Sequence, residues 1–242
     1  MSDTGTSIFD PVLTETMVSW FTARGDHIID PFAGGSVRGI VSCTLGRYYT
    51  GIDLRAEQIE ANVAQGEAIN PDIMPLWICG DSVNIKELAP GEYDFILTCP
   101  PYGNLEVYSD DPADISNMAD DDFDATYTDI MQKVAGMLRP DRFACVVVGN
   151  YRDKRGYLRD LVGLTVRAME SAGARYYNDF IVVTPAGSLP IRAGNAFQST
   201  RKMGRTHQYC LIFCKGDPKK ATARIGNVEI ADMSAYMEEE QE

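Results

Sequence analysis

The chain has 242 residues, 45% of them hydrophobic and 24% charged, with a formal net charge of −13. Such a length and composition fit one globular domain with a sizeable core and exclude a fibrous or disordered chain. No apolar run nears the roughly 20 residues of a membrane span, and the start lacks the basic-then-apolar pattern of a signal peptide, so the expectation is a cytoplasmic protein without membrane contact.

Six cysteines, Cys43, Cys79, Cys99, Cys145, Cys210 and Cys214, lie scattered and never in C-x-x-C spacing, so they read as reduced core residues and no metal site is expected. The acidic total argues against contact with phosphates, which calls for a basic face. The charges are segregated, however. Residues 87–132 hold no Lys, Arg or His, whereas residues 133–205 hold thirteen Lys or Arg against five Asp or Glu. A chain of this kind can present a basic face, and an acidic domain that binds a protein partner carries the same pattern.

In chain order, apolar runs of strand length fall at 27–30, 48–52, 74–79, 93–98, 143–149, 176–184 and 208–214, with amphipathic helical segments at 37–44, 56–69, 123–138 and 157–171. The alternation predicts an α/β fold: a seven-stranded, mostly parallel sheet with helices on both faces, closed by an antiparallel last strand pair, all in one domain over 1–242. The basic stretch at about 185–206 reads as a loop between the last two strands. The acidic stretch at about 103–122 reads as a flap or a partner surface, and the acidic end at 238–242 as a solvated tail.

The first strand runs into Asp30-Pro31-Phe32-Ala33-Gly34-Gly35-Ser36, a glycine-rich turn that opens a helix and lets backbone approach a ligand closely. The second strand ends at Asp53, whose carboxylate can accept hydrogen bonds from the ribose hydroxyls of a nucleoside cofactor, and the third is followed by Asp81. The alternative for the turn is a tight strand-to-helix connection, and for Asp53 a cap. The fourth strand leads into Cys99-Pro100-Pro101-Tyr102. Cys99 is either a small strand-end residue or a participant in chemistry, and Tyr102 either a packed turn aromatic or a stacking surface. Arg192, Arg201, Lys202 and Arg205 are candidate phosphate contacts, with a solvated loop as the alternative.

Taken together these motifs resemble the S-adenosylmethionine-dependent DNA amino-methyltransferases of the adenine N6 and cytosine N4 type. Residues 28–35 look like their first motif and 45–53 like their second; Phe9-Asp10-Pro11 resembles the segment that folds back over the methionine part of the cofactor. Residues 93–102 resemble the catalytic motif, with Cys99 where the family has Asp, Asn or Ser, and 207–216 resemble the closing strand. The resemblance implies a Rossmann-like class I methyltransferase fold, and S-adenosylmethionine held by Phe9, Asp10, Pro11, Asp30, Pro31, Phe32, Ala33, Gly34, Gly35, Asp53 and Asp81. It also implies a catalytic set of Cys99, Pro100, Pro101 and Tyr102, and a DNA substrate whose target base is flipped out of the duplex, as in restriction-modification systems. An RNA methyltransferase of the same fold, or a cofactor-binding subunit acting through a partner or as a homodimer, is the alternative.

Overall fold

The computed structural model describes residues 9–103, 113–183, 187 and 189–228; the tail at 238–242 and residues 104–112 of the acidic stretch lie outside them. The first element among the described residues is a helix that the sequence reading did not include, α1 (Pro11–Phe21). Asp10 caps it, accepting from the amides of Val12 and Leu13 at 2.8 and 3.3 Å, and Pro11 sits where no amide hydrogen is needed.

The alternation then follows as expected: β1 (His27–Asp30), α2 (Val37–Thr44), β2 (Tyr48–Asp53), α3 (Ala56–Ile69), β3 (Leu76–Cys79), a short α4 (Ile85–Leu88), β4 (Phe95–Thr98), α5 (Asp120–Met137) and β5 (Arg142–Val148). A two-stranded hairpin, β6 (Tyr151–Arg152) and β7 (Leu158–Arg159), precedes α6 (Leu161–Ser171). This corrects the expectation of a helix from residue 157. Asp160 caps α6 by accepting from the Gly163 amide at 2.9 Å, which fixes the later start.

The last elements among the described residues are β8 (Ala174–Val183), α7 (Leu189–Thr200), β9 (His207–Lys215) and α8 (Pro218–Ile225). α7 overturns the reading of 185–206 as a plain loop. Pro190 and Gly194 lower helix propensity in that stretch, but a proline in the first turn costs no intrahelical bond. The acidic stretch is likewise partly structural: Asp114 caps the turn Ile115–Asn117, and Asp120, Asp121 and Asp122 fill the first turn of α5, where the helix dipole favours negative charge.

The seven strands pair in the order β3-β2-β1-β4-β5-β9-β8, parallel through β5 and antiparallel at β9 and β8. Strand order therefore reverses between β1 and β4, the position where open α/β sheets form a ligand crevice beyond their carboxyl ends. Period-two alternation divides the core. Along β5, Ala144, Val146 and Val148 pack with residues of α5 and α6 on one face, while Phe143, Cys145 and Val147 pack with residues of α1 and α2 on the other. β4 is buried at all four positions, as a central parallel strand must be.

Part of the basic residue count is spent at the far end of the sheet. Arg139 and Arg142 donate to the Asp94 carboxylate at 2.8 and 2.9 Å, and Arg224 pairs with Asp26.

Candidate active site at the carboxyl ends of β1 and β4

Asp30, the last residue of β1, is fully buried and organises the turn that follows. Its Oδ1 accepts from the Phe32 amide at 3.0 Å and the Thr98 hydroxyl at 2.7 Å; its Oδ2 accepts from Arg38 Nε at 2.7 Å and the Tyr49 hydroxyl at 2.8 Å. A carboxylate offers about four acceptor positions, and all four are in use. The sequence reading placed Asp30 on the cofactor; here its carboxylate is spent on the protein itself.

Arg38, which the sequence reading missed, completes this arrangement from α2. Its Nη2 donates to the carbonyls of Phe32 at 2.7 Å and Ala33 at 3.0 Å, so one guanidinium fixes the turn's carboxylate and two of its carbonyls. Burial by itself would lower the Arg38 pKa; the negative charge of Asp30 leads the groups that reverse this and hold it above its ordinary value. Burial, then the charge of Asp30, pushes the Tyr49 pKa well up, which keeps that hydroxyl a donor. Phe9 lies under the same guanidinium, 4.6 Å from its ring centre, and so brings the segment before α1 against the turn.

The rest of the turn is a cradle. Gly34 adopts φ +50° and its amide donates to Asp53 Oδ2 at 2.9 Å; no atom lies within 4 Å of where a Cβ would stand on Gly34 or Gly35. Ala33 is pinned through its amide to the Ile52 carbonyl at 2.9 Å. Asp53 Oδ1 accepts the Arg55 amide at 2.9 Å, and beyond these amides each oxygen keeps a further acceptor position. Burial raises the Asp53 pKa, against the opposing pull of the Arg55 and Gly34 amides and the Arg55 charge.

Two residues on neighbouring elements steady the cradle without having been read from the sequence. Asn62 of α3 donates to the Gly34 carbonyl at 2.7 Å, and the Ser82 hydroxyl donates to the Pro31 carbonyl at 2.5 Å. Asp81, expected at the cofactor, caps the turn Ser82–Asn84 by accepting the Val83 amide at 2.9 Å. No motif marks Asn62; its only signal is a polar residue at a position that the helix period turns inward, where it is almost fully buried.

The Cys99-Pro100-Pro101-Tyr102 turn leaves β4 beside this cradle, because the Thr98 hydroxyl bonds to Asp30 across the β1–β4 boundary. Cys99 is half-buried and Pro100 buried. The Tyr102 hydroxyl accepts from Gln208 Nε2 of β9 at 2.5 Å, and the ring edge lies 3.6 Å from where a Cβ on Gly149 would be. Gln208 thus joins the site through the antiparallel closing strand. Gly103, at φ +51°, packs so closely on Tyr151 that a Cβ there would strike its hydroxyl.

The basic residues separate. Arg201 folds back on α7, donating to the Phe197 carbonyl at 3.0 Å with its charge over the Phe197 ring. Arg205 reaches the Asn150 carbonyl at 3.4 Å, and Lys202 lies at the tip of the β6–β7 hairpin. The backbone of Arg192 is in α7, and its side chain lies outside the described residues. Among the described residues no group of acids, histidines or cysteines could hold a metal, and no helix is long and apolar enough to cross a membrane.

Comparison with solved structures places this architecture. The chain has the Rossmann-like methyltransferase fold. It is similar to TrmN from Thermus thermophilus, with a TM-score of 0.59 at 13% identity over 88% of this chain and 51% of that one. It is similar also to a methyltransferase from Pyrococcus furiosus, with a TM-score of 0.54 at 16% identity over 89% and 92% of the two chains. The magnesium protoporphyrin IX methyltransferase of Synechocystis, solved with bound SAH, superposes with a TM-score of 0.57 at 9% identity over 84% of this chain and 82% of that one. In sequence, 58 residues are 38% identical to the type II methyltransferase M2.DpnII of Streptococcus pneumoniae, which amounts to 24% of this chain and 22% of that protein. No family model matches the chain.

Proposed function

We propose that this chain transfers a methyl group from S-adenosylmethionine to the exocyclic amino group of adenine or cytosine in DNA. One observation carries the reading: the glycine cradle with its ribose-type carboxylate, Asp53, and the Cys99-Pro100-Pro101-Tyr102 turn stand at adjacent strand ends, joined through the Thr98–Asp30 hydrogen bond. The partial likeness to a type II methyltransferase supports the same reading.

The residues present fit the cofactor. The space over Gly34 and Gly35 admits close approach, and Asp53 can take the two ribose hydroxyls on its remaining acceptor positions. When bound, S-adenosylmethionine supplies a methyl group already activated on a sulfonium. The chain then has to position the acceptor nitrogen, which is where most of the acceleration arises.

An exocyclic amino nitrogen delocalises its lone pair into the base. Acceptors that hold the two amino hydrogens return that pair to the nitrogen, and backbone carbonyls in a rigid Pro-Pro turn are suited to this. With the cofactor bound, the carbonyls of this turn would hold that nitrogen facing the activated methyl group, and one amino proton would leave to solvent. Tyr102 offers a ring to stack the base, held in place by Gln208. A base inside a duplex cannot reach this turn and must leave the stack.

Incubation with cofactor carrying a labelled methyl group, separately with DNA and with RNA, followed by nucleoside mass spectrometry, tests the proposal. A labelled methylamino deoxynucleoside is the expected product. A labelled ribonucleoside alone would transfer the activity to RNA, and cofactor binding without any labelled nucleoside would make the chain a binding subunit.

A further inference from the structure

We propose that the β6–β7 hairpin and the segment after α7 together form a grip for a nucleic-acid strand, in which Lys154, Arg155, Lys202 and Arg205 contact phosphates and Tyr157 stacks on a base. The inference rests on the nucleic-acid reading above and adds to it a surface outside the methyl-transfer turn.

The hairpin is built against the candidate site. It starts where β5 ends, and Tyr151 at its base touches Gly103, one residue past Tyr102. The segment after α7 converges on it from another part of the chain: Arg205 donates to the Asn150 carbonyl at 3.4 Å, and Lys202 Nζ lies 2.5 Å from where a Cβ on Gly156 would stand. Five basic residues, Arg152, Lys154, Arg155, Lys202 and Arg205, therefore gather around one tip.

The tip's acid is occupied. Asp153 Oδ1 accepts the Tyr157 amide at 2.8 Å and its Oδ2 lies 3.6 Å from Arg155 Nε, an exposed ion pair that a phosphate would have to replace; its backbone bonds to both Tyr157 and Gly156 at 2.9 Å, and Arg152 closes the loop on the Gly156 carbonyl at 2.9 Å. These bonds, with Gly156 at φ +93°, fix the loop's shape. A chain of net charge −13 thus presents a local positive patch, as the segregation of charge in the sequence requires if phosphate is bound.

Tyr157 is what turns a basic patch into a strand-binding surface. Its side chain is 71% exposed and Arg155 is 82% exposed, with the guanidinium 5.8 Å from the ring centre. An aromatic ring and a guanidinium held together in solvent, on a bonded loop rather than a core face, is the pairing that single-stranded nucleic acids use: stacking on the ring, charge on the backbone. Among the described residues, a cleft lined by Asn117, Asp120, Asp153, Lys154 and Arg155 runs beside the tip.

The test is fluorescence anisotropy of the full chain, with S-adenosylhomocysteine present, on labelled single-stranded and duplex oligonucleotides over a salt series. The variants are Lys154→Gln/Arg155→Gln, Lys202→Gln, Tyr157→Ala, Tyr157→Phe and, as a control on α6, Arg167→Gln. The double variant should reduce the slope of log affinity against log salt by about 1.4 on single strands, or about 0.7 for each lost phosphate contact. Lys202→Gln should reduce it by about half as much, and Arg167→Gln should leave it unchanged. Tyr157→Ala should weaken single-strand binding by roughly 5- to 150-fold with the slope unchanged, and Tyr157→Phe should restore it.

Thermal melting and cofactor titration verify that each variant is folded. Wild-type binding combined with unaltered slopes and affinities in the hairpin variants would overturn the grip and leave the nucleic-acid reading standing. Absence of any wild-type binding at low salt would overturn both.

Discussion

Arg38 and Asp30 meet at 2.7 Å with side chains only 5% and 0% exposed, and this pair holds the glycine cradle to the sheet. Removing the guanidinium would leave Asp30 charged, buried and short of a partner, and would release the carbonyls of Phe32 and Ala33. Arg38→Leu is therefore expected to lower stability by about 3–5 kcal/mol in chemical denaturation, the usual cost of breaking a buried pair from one side. A loss under about 1 kcal/mol would show that Tyr49, Thr98 and the Phe32 amide satisfy Asp30 alone.

Asp53 gives the site a pH dependence whose sign follows from its raised pKa. A carboxyl with a raised folded-state pKa contributes stability that is fully present below the unfolded value, about 3.9, and is lost as pH rises through the folded value. Ribose hydroxyls donate to the ionised form, so cofactor affinity should increase with pH over that same window, with proton release on binding. Asp53→Asn should flatten the dependence, and Asp53→Ala should weaken binding by roughly 10- to 150-fold, as loss of a charge-assisted hydrogen bond implies. Calorimetry in two buffers of different ionisation enthalpy reads both effects. A wild-type affinity independent of pH across the acid range would remove Asp53 from the pocket.

The long periodic segments were legible because pattern and burial agree. Residues 37–44 and 56–69 are helices with the expected bounds, and all seven sheet strands were found. What escaped is instructive in physical terms. α1 and α8 each begin with Asp-Pro, at Asp10-Pro11 and Asp217-Pro218, where the aspartate caps and the proline takes the first turn, a start signal that apolar periodicity does not carry. The hairpin's two strands, at 151–152 and 158–159, are too short to show an alternation, and the second falls inside the helix expected at 157–171. In the site, the Gly34 amide meets the Asp53 carboxylate, two residues that the sequence singles out. Asn62 and Gln208 act through contacts between distant segments, which spacing along the chain does not express, whereas Arg38 lies only eight residues past Asp30 and turns back on its own turn from the next helix.

The thiols should sort by exposure. Burial pushes Cys43 and Cys214 up to about 11 and Cys145 well above its ordinary value, whereas Cys79 is exposed and Cys99 half-buried. Alkylation of the native protein followed by peptide mass spectrometry should label Cys79 first and Cys99 second, with the buried thiols last. Bound S-adenosylhomocysteine should slow the labelling of Cys99. A Cys99 labelling rate unchanged by the ligand would argue against Cys99 lying beside the cofactor.

Within Cys99-Pro100-Pro101-Tyr102, the backbone and the ring should matter more than the thiol. A thiol accepts hydrogen bonds weakly, so the carbonyls of the turn carry the amino hydrogens and Cys99→Ser should remain active, its hydroxyl being a better acceptor of similar size. Tyr102→Ala removes the stacking ring, an interaction worth roughly 1–3 kcal/mol, and should lower the rate while cofactor affinity stays unchanged. Tyr102→Phe keeps the ring and loses the bond from Gln208, so its rate should fall between the two, and Gln208→Ala should match it because both cut the same 2.5 Å contact. The alternative is that Cys99 is a covalent nucleophile on a pyrimidine carbon. In that case Cys99→Ser would be inactive and the wild-type product would be methylated on carbon. Initial rates with a labelled methyl group, together with the identity of the product nucleoside, separate the two chemistries: an active Cys99→Ser with a methylamino product assigns transfer to the amino group, and an inactive one with a carbon-methylated wild-type product rejects it.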